Sequence, residues 1–563
     1  MKRHNKIRGW WLLLIGALIL VNILGALFHY RFDLTAEKRF SISKPVKGIL
    51  KNLDEKVQVR VFLHGELPSG FKKLSSSTED LLREFKDYAG GHVDYDFISP
   101  EDVMPGSNRT WADTLSSLGL VPINLTIQLK AGEQSQYIYP SALVQYRDKI
   151  MPVDLYTGNK TIITPPELNS TEALLEYKFA HAIENLTSPE RPLIAYATGN
   201  GEPTGAETYD LVEKVLTKNY RVYTMDLKEE RTIPDTFKLL MVVKPTLTFT
   251  DAEKLAIDQY IMHGGRALFL IDRLEAEMDS LQVKNEVIAY DRNLNLNDLL
   301  FRYGVRINPD LLMDLQCDFL PFSVNGQDQF EFLHWNYFPL FESPQNHVIN
   351  KNTGLVAGRF VNSVDTVGAP GIKKTILLQS SVNARTLHTP ALISGRENIN
   401  APVDAQYDQK NIAAAVLLEG RFTSFFKNRV SQQQLDTLQH YGASFKPENT
   451  AENKIIVIGD GDVALNTTLR GEPLPMGVNS YTVGSQYEYQ FANRQFISNC
   501  LEYLIDNSGL AEAKSKDYTL RLLDAKKTAE QRPFWLWLNV LAPLLLIVLG
   551  GSIYQWWRRK KYS

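Results

Sequence analysis

The last apolar stretch of the chain constrains its fold most strongly. Residues 534–557 carry no charged side chain, and four basic residues follow at 558–561. A helix rises roughly 1.5 Å per residue, so a stretch of this length covers the roughly 30 Å hydrocarbon layer of a membrane. Trp535 and Trp557 stand near its two ends, as interfacial tryptophans do. We therefore predict a transmembrane helix over 534–557 with a cytoplasmic tail at 558–563.

A second charge-free run, residues 10–28, follows a basic N-terminus that contains Lys2 and Arg8. It could be a secretory signal peptide. However, it is longer than a usual signal core, and no small-x-small cleavage pattern closes it. We favour an uncleaved transmembrane helix at 10–28 with residues 1–9 in the cytoplasm. Both termini are then predicted to be cytoplasmic, and the large region between them, residues 31–532, is predicted to lie on the outer side of the membrane.

The composition narrows the class of protein further. The 563 residues include 61 basic and 64 acidic side chains, a net charge of −3, which argues against a nucleic-acid surface. The two cysteines, Cys317 and Cys500, are too few for a disulfide framework or a cysteine-rich zinc site. Whether they pair with each other is left open.

The first region outside the membrane, residues 31–165, reads as a small α/β domain. A β-rich run at 57–63 and another at 93–98 flank an amphipathic helix at 78–88, whose apolar face is predicted to include Tyr88. The pattern predicts a β-α-β unit. It contains no Cys-x-x-Cys, so thiol redox chemistry is not expected.

The central region, residues 166–505, alternates short apolar strands with capped helices. Strands are predicted at 193–197, 220–225, 239–243, 267–271 and 455–458. The pairs Thr204/Glu207 and Thr250/Glu253 are capping boxes that each predict a helix start. Such alternation indicates a parallel sheet covered on both faces, with a Rossmann- or flavodoxin-like core. Residues 506–533 then form a connector to the last helix.

The turn Gly199-Asn200-Gly201-Glu202 follows the first of these strands, where a dinucleotide-binding fold holds pyrophosphate. Thr204 occupies the third glycine position, and Glu202 would repel a phosphate. The alternative is a tight strand-to-helix turn. We keep these four residues as a candidate ligand or interaction turn and expect no cofactor.

Two further segments carry candidate sites. Asp460 and Asp462 follow an apolar strand and could hold a divalent cation, or they could form a polar turn; we predict no metal site. An aromatic segment at 318–344 could be core or a ligand or partner face. The residues that we assign to a candidate partner face are Phe330, Phe332, Trp335, Tyr337 and Phe338.

Several catalytic motifs are missing from the sequence. It contains no Gly-x4-Gly-Lys-Ser/Thr loop, His-Glu-x-x-His or Gly-x-Ser-x-Gly elbow. The chain is therefore not expected to hydrolyse ATP by the P-loop route. With two spans it is also too small to line a transport pathway alone.

Five segments, in this order, resemble the ABC-transport auxiliary family. The segment at 31–43 after the first span is similar to the family's start, and 198–203 resembles its Thr-Gly-His-Gly-Glu turn, with Asn200 in place of histidine. The segment at 299–314 resembles its Leu-x-x-Tyr-Gly-Val-x-Ile stretch. The segment at 455–462 resembles its Val-x-Gly-Asp-Ser-Asp strand end, with Gly461 in place of serine, and 493–496 resembles its last helix. The gliding-motility-associated members from Bacteroidetes are the most similar.

The resemblance implies a non-catalytic subunit that is anchored in the bacterial inner membrane, in contact with the lipid bilayer, and has a large periplasmic domain. It would work beside an ABC permease and a separate cytoplasmic ATPase. It supplies no catalytic residues. The alternatives are a periplasmic glycan- or peptide-binding module that uses the aromatic segment, and a metal-dependent periplasmic enzyme that uses Asp460 and Asp462.

Overall fold

A computed structural model defines the fold in two units, Met1–Lys516 and Asp517–Ser563. The residues that it describes are 14–20, 41–65, 67–129, 132–156, 163, 165–188, 190–278, 281, 284, 286–323, 330–344, 347–351, 353–395, 404–506, 508–515 and 525–562.

The N-terminal region is a four-stranded sheet covered by helices. The strand order is β2-β1-β5-β6, in which β1 is parallel to β2 and antiparallel to β5. A separate hairpin pairs β3 with β4. The elements are α1 (Lys44–Lys51), β1 (Val57–Val61), α2 (Ser69–Tyr88), β2 (Val93–Phe97), α3 (Trp111–Ser117), β3 (Ile123–Leu129), β4 (Gly132–Ile138), β5 (Ser141–Tyr146), β6 (Lys149–Asp154) and α4 (Pro165–Thr187).

The predicted β-α-β unit is present as β1, α2 and β2. The helix is longer than predicted, and Tyr88 lies exposed at its end rather than inside, where the ammonium of Lys47 lies 4.6 Å from its ring centroid. Helix periodicity alone placed Tyr88 on the apolar face. In the structure the Tyr88 ring is 41% exposed and meets the flexible side chain of Lys47 instead of the core.

Helix α4 belongs to the core of the N-terminal region. Leu175, Phe179 and Ile183, spaced on one helical face, are buried there beside the strands of the sheet. Near the start of the helix, Glu172 forms a 2.7 Å ion pair with Lys73 of α2. The apolar stripe of α4 therefore points into the N-terminal core.

The chain then enters a larger α/β region. Its first elements are β7 (Leu193–Thr198), a π-helix at Asp210–Leu216, β8 (Arg221–Asp226), β9 (Phe237–Val243), α5 (Asp251–Met262) and β10 (Arg266–Leu270). The Thr250/Glu253 capping box is confirmed, since Thr250 Oγ1 accepts from the Glu253 amide at 3.3 Å. The helix predicted from Thr204 is instead a short 3₁₀ turn followed by the π-helix.

A mostly β lobe is inserted after β10. Its elements are β11 (Leu274–Glu275), β12 (Glu286–Asp291), α6 (Asn297–Tyr303), β13 (Val305–Ile307), β14 (Asp310–Asp314), β15 (Cys317–Ser323), β16 (Phe330–Phe341), β17 (Val356–Ala357), β18 (Val364–Thr366), β19 (Ile372–Gln379), β20 (Ala384–His388) and β21 (Ala391–Ser394). All of these except α6 and β19 pair within small antiparallel sheets.

The remaining elements complete the main sheet. They are β22 (Ala413–Gly420), α7 (Gln432–His440), β23 (Asn453–Ile458), β24 (Thr468–Leu469), β25 (Glu472–Pro473) and α8 (Asn493–Ile505). The main sheet has the order β19-β22-β23-β10-β9-β7-β8. The five strands from β23 to β8 are parallel, as predicted, whereas β22 and β19 extend the sheet in an antiparallel sense. Cys317 and Cys500 are buried and form no disulfide.

The second unit contains one long helix, α9 (Ala525–Tyr562). Within it, Gln531–Lys560 is long and apolar enough to cross a membrane, and its most apolar window is wholly unburied. This agrees with the C-terminal span predicted at 534–557. Of the N-terminal span predicted at 10–28, the structure describes residues 14–20, which are helical with exposed apolar side chains; the rest lies outside the described residues.

Candidate functional site

Charged residues collect at the carboxyl ends of three neighbouring strands of the main sheet. Lys244 follows β9, Asp272 follows β10, and Asp460 and Asp462 follow β23. Because β9, β10 and β23 are adjacent and parallel, these side chains meet at one edge. Glu277 joins them from the start of the inserted lobe. We call these five residues the Lys244 cluster.

The ammonium group of Lys244 lies at the centre of this cluster. Its Nζ is 2.8 Å from Oδ1 of Asp462, 3.3 Å from Oε2 of Glu277 and 3.4 Å from Oδ2 of Asp272. Arg292 adds a second positive charge, 2.8 Å from the other oxygen of Glu277. The four carboxyl groups, counting Asp460, outnumber these two cations, so the cluster is rich in negative charge.

Glycine at position 461 makes room for the lysine. A Cβ at Gly461 would lie 2.5 Å from the Cβ of Lys244 and 3.0 Å from its Cα. Real Cβ atoms essentially never approach another atom as closely as 2.5 Å. The absence of a side chain at Gly461 therefore leaves the space that Lys244 occupies.

Among the described residues Asp460 forms no ion pair within 4.0 Å, and backbone groups hold its carboxylate. Its Oδ1 accepts from the Asp462 amide at 2.7 Å and its Oδ2 from the Arg359 amide at 2.8 Å. Burial, with the charges of Asp272 and Asp462, raises the pKa of the Asp460 carboxyl well above its usual range. Burial likewise raises the pKa of Asp272 and that of Glu277, although Lys244 opposes both shifts.

The space next to the cluster is small. A cavity of about 20 Å³ is lined by Asp462, Asp318, Arg359, Asn479 and Asn493, among others. A cavity of this size holds about one water molecule. The sequence offered Asp460 and Asp462 as candidate cation ligands. In the structure the ammonium of Lys244 forms an ion pair with Asp462. Among the described residues, no group of three or more His, Cys, Asp or Glu side chains is arranged to hold a metal ion.

The turn predicted as a ligand or interaction site is packed against the neighbouring loop. The carbonyl oxygen of Asn200 accepts from the amides of Thr246 at 2.8 Å and Leu247 at 2.9 Å. A Cβ at Gly201 would lie 2.0 Å from Oγ1 of Thr246. The turn lies beside β9, where strand order reverses and a parallel sheet usually opens a ligand crevice; here the backbone closes that crevice.

The side chains of Asn200 and Glu202 in this turn are buried. Asn200 is fully buried, and its side-chain oxygen and nitrogen have no hydrogen-bond partner among the described residues. Glu202 Oε2 accepts from the Asn200 amide at 2.7 Å. Burial raises the pKa of the Glu202 carboxyl, with a smaller contribution from Glu253. Gly199 has a φ of 104°, which only glycine adopts readily.

The aromatic segment divides between core and surface. Trp335, Tyr337 and Phe338 are buried, so they cannot form the predicted partner face. The second half of β16 is covered on both sides, and alternation is lost there. Phe330 is 66% exposed, and Phe332 is partly exposed with its ring centroid 5.2 Å from that of Tyr487. Only these two of the five remain at the surface.

A larger polar groove lies elsewhere, beside β14 and β20. Its volume is about 360 Å³, and its lining includes Gln316, Glu342, Ser381 and Asn411. The hydroxyl group of Ser381 already has a partner in the protein, because its Oγ donates to Oδ1 of Asp314 at 2.6 Å. Sequence reasoning identified neither this groove nor Lys244, Asp272 and Glu277.

Comparisons with known proteins agree with the resemblance found in the sequence. Residues 191–500 match the family model described as an ABC-type uncharacterized transport system, and residues 36–145 match a domain family of unknown function. An uncharacterized protein of Borreliella burgdorferi is 20% identical over 353 residues, and the match spans 62% of each chain. The N-terminal domain of mmIFT52 matches 55% of this chain and 96% of its own at 14% identity. Its TM-score of 0.31 is too low to show a shared fold.

The first match takes in the main sheet, the inserted lobe and the Lys244 cluster. It covers more than half of the chain, and so the protein belongs to the auxiliary family of ABC-type transport systems.

Proposed function

We propose that the protein is a non-catalytic, membrane-anchored auxiliary subunit of an ABC transporter. In this proposal two helices, at 10–28 and 534–557, lie in the inner membrane beside the permease. The α/β body projects into the periplasm and both termini are cytoplasmic. ATP hydrolysis is the task of a separate ATPase subunit.

One observation carries the proposal: a chain that belongs to an ABC transport family also ends in an apolar, wholly unburied helix of membrane-spanning length. The basic residues that follow the apolar stretch 534–557, including Arg558 and Lys561, favour a cytoplasmic C-terminus. Small residues such as Gly550 and Gly551 would allow another helix to approach closely.

Two features of the candidate sites favour a subunit over an enzyme. The ammonium of Lys244 forms an ion pair with the carboxylate of Asp462, and the adjoining cavity has room for about one water molecule. The turn at Asn200 is closed by its own backbone contacts. The cavity beside the Lys244 cluster is too small for a sugar, a peptide or a nucleotide.

The proposal is tested by extracting the tagged full chain from its native membrane in mild detergent. We expect an ABC permease and its ATPase to co-purify with it. A chain that ends at residue 533 should lose them, whereas a control that lacks only 558–563 should retain the permease. Co-purification that is unchanged without 534–563 would refute docking through the last helix.

The topology is tested by thiol labelling of single cysteines in whole cells. Cys317 and Cys500 are buried, so background labelling should be low. An impermeant maleimide should label Asn108→Cys in the periplasm and should label Ser563→Cys only after the cells are opened. Labelling of residue 108 only in opened cells would overturn the proposed orientation.

We also propose that the protein takes part in gliding motility and in the protein secretion associated with it, as the family resemblance implies. Deletion of the gene should then reduce surface spreading and secretion together, and the full chain should restore both. Restoration by the chain that ends at residue 533 would contradict the role of the membrane helix.

A further inference from the structure

The two ends of the folded body meet in one place. Ile42 and Val46, at the start of the body, are buried in the same hydrophobic core as Leu510 and Ala513, at its end. Phe179 of α4 belongs to that core as well. The segments nearest to the two predicted membrane helices therefore pack together on α4.

On the N-terminal side, the contact to α4 is made just before α1. The amide of Ser43 donates to Oε1 of Glu176 at 2.7 Å. Pro45 opens α1 next to the C-terminal segment: a Cβ built at Gly509 would lie 3.7 Å from its Cγ. Each end of the body thus touches the other as well as the helix.

On the C-terminal side, the contact is a buried lysine. Lys514 is 6% exposed, forms an ion pair with Glu502 of α8 and donates to Oδ1 of Asn499 at 2.7 Å. Its ammonium also lies 4.1 Å from the ring centroid of Tyr177 on α4. One side chain therefore joins the last turn of the body to both α4 and α8.

These two helices belong to different layers of the body. The apolar face of α4 packs into the N-terminal core, whereas Phe496, Leu501 and Leu504 of α8 pack into the core of the main sheet. The chain also passes from α4 directly into β7 at Leu193. A displacement of Lys514 would therefore act on the junction between the two cores.

We propose that α4 transmits movement from the membrane-proximal segments to the periplasmic body. We call α4 the joint, and we call Lys514 the latch because it holds the last turn of the body against α4. The inference rests on the proposed function, since a transporter must supply the movement. Residues 510–515 and the start of α1 move with the membrane helices, and α4 passes the displacement to β7 and α8. Without Lys514 the last turn detaches, and the body no longer responds.

The test uses the full chain in complex with its permease and ATPase, in lipid nanodiscs. Hydrogen–deuterium exchange is followed by mass spectrometry with and without ATP and vanadate, which trap the ATPase. We expect the exchange of α4 peptides at 170–187 to change at least threefold on trapping in the wild type. In Lys514→Met the change should disappear although the permease still co-purifies.

Two controls separate the latch from general damage. Lys427→Met removes an exposed lysine paired with Glu448 at 3.2 Å, and it should keep the wild-type response. If Lys514→Met does not fold, the double variant Lys514→Met with Glu502→Gln leaves no uncompensated buried charge. It should fold, and it should be as unresponsive as the single variant.

Each outcome decides one question. If the wild-type chain captures no permease, the proposed function fails. If the permease is captured but α4 exchanges equally with and without trapping, the joint is refuted. If the folded Lys514 variants respond like the wild type, α4 is a joint but Lys514 is not its latch.

Discussion

Two buried lysines organise two parts of this molecule in different ways. Lys244, with its side chain 12% exposed, lies among three carboxylates at the edge of the main sheet. Lys514, with its side chain 7% exposed, meets one carboxylate, one amide oxygen and one aromatic ring. The first cluster contains an excess of negative charge, whereas the second pairs one cation with one anion.

This difference in charge separates two structural tasks. In a low-dielectric site an excess of carboxylates costs free energy unless protons or cations compensate the charge. We therefore expect the stability of the Lys244 cluster to depend on pH and on the cations near it. The pair of Lys514 and Glu502 is balanced and hydrogen-bonded, which suits a fixed attachment. Burial would raise the pKa of Glu502, but the ammonium of Lys514 and the ring of His181 hold it below its usual value.

The largest effect is expected from Lys244→Met. The substitution leaves Asp272, Glu277 and Asp462 without their central cation, so unfolding should become easier by about 3–5 kcal/mol. The measurement is urea unfolding of the full chain in detergent, followed by tryptophan fluorescence. A loss below about 1 kcal/mol would show that solvent, and not Lys244, compensates the cluster.

Lys514→Met should have the next largest effect, at about 3 kcal/mol, because Glu502 alone remains buried and charged. Adding Glu502→Gln should recover more than half of that loss. The same urea titration tests both variants. If the double variant is no more stable than the single one, the ring and amide contacts of Lys514 matter more than its charge.

The two clusters should respond to pH in opposite directions. The pKa values of Asp460, Asp272 and Glu277 are raised in the folded chain, so the folded state holds their protons more tightly than the unfolded state. Their contribution to stability is complete below about pH 4, the ordinary carboxyl range, and declines as pH rises through the raised values. Glu502 has a lowered pKa, so its contribution is present above about pH 4 and declines on acidification.

The opposite pH dependence of the two clusters is checked by measuring the free energy of unfolding between about pH 3 and pH 9. This range lies on either side of the ordinary carboxyl pKa values. Asp460→Asn should flatten the decline on the alkaline side, and Glu502→Gln should flatten the decline on the acidic side. We compare the slope of the free energy of unfolding against pH, not the free energy itself. In Asp460→Asn the amide can accept only one of the two backbone hydrogen bonds, so the stability changes for this reason as well. An unchanged alkaline slope would mean that Asp460 is ionised throughout.

The smallest effect is expected at an exposed lysine. Lys427 and Glu448 form a 3.2 Å pair with side chains 40% and 60% exposed. Water screens such a pair, so Lys427→Met should change stability by less than about 0.5 kcal/mol. The urea midpoint measures it. A loss comparable to that of Lys514→Met would show that burial does not distinguish these lysines.

Local patterns predicted much of the main sheet. The apolar runs at β7, β9, β10 and β23 lie within two residues of their predicted bounds, and the Thr250 capping box starts α5. The helix predicted after Thr204 is present as helical turns between Ala206 and Asn219, but it is mostly a 3₁₀ turn and a π-helix, and no side chain caps its start. Asp210 there binds Arg494 through two contacts at 2.7 and 2.8 Å, and a pairing across 284 residues is invisible to a local pattern.

The candidate site was predictable only in part. Asp460 and Asp462 follow an apolar strand, and that signal found them. Lys244 and Asp272 also follow apolar strands, at β9 and β10, so the same rule applied to all three strands would have named them. Their meeting depends on strand order, which is fixed by long-range packing. The burial of Trp335 and Tyr337 likewise depends on the layers that cover β16.

The meeting of both ends of the body on α4 has an evolutionary consequence. A folded unit whose first and last residues are neighbours can be spliced between two helices, or removed, without stretching what flanks it. In this chain Ser43 and Lys514 mark the borders of that unit. A short Gly-Ser bridge between these borders would give a miniature chain that keeps both terminal segments and lacks the folded body between them.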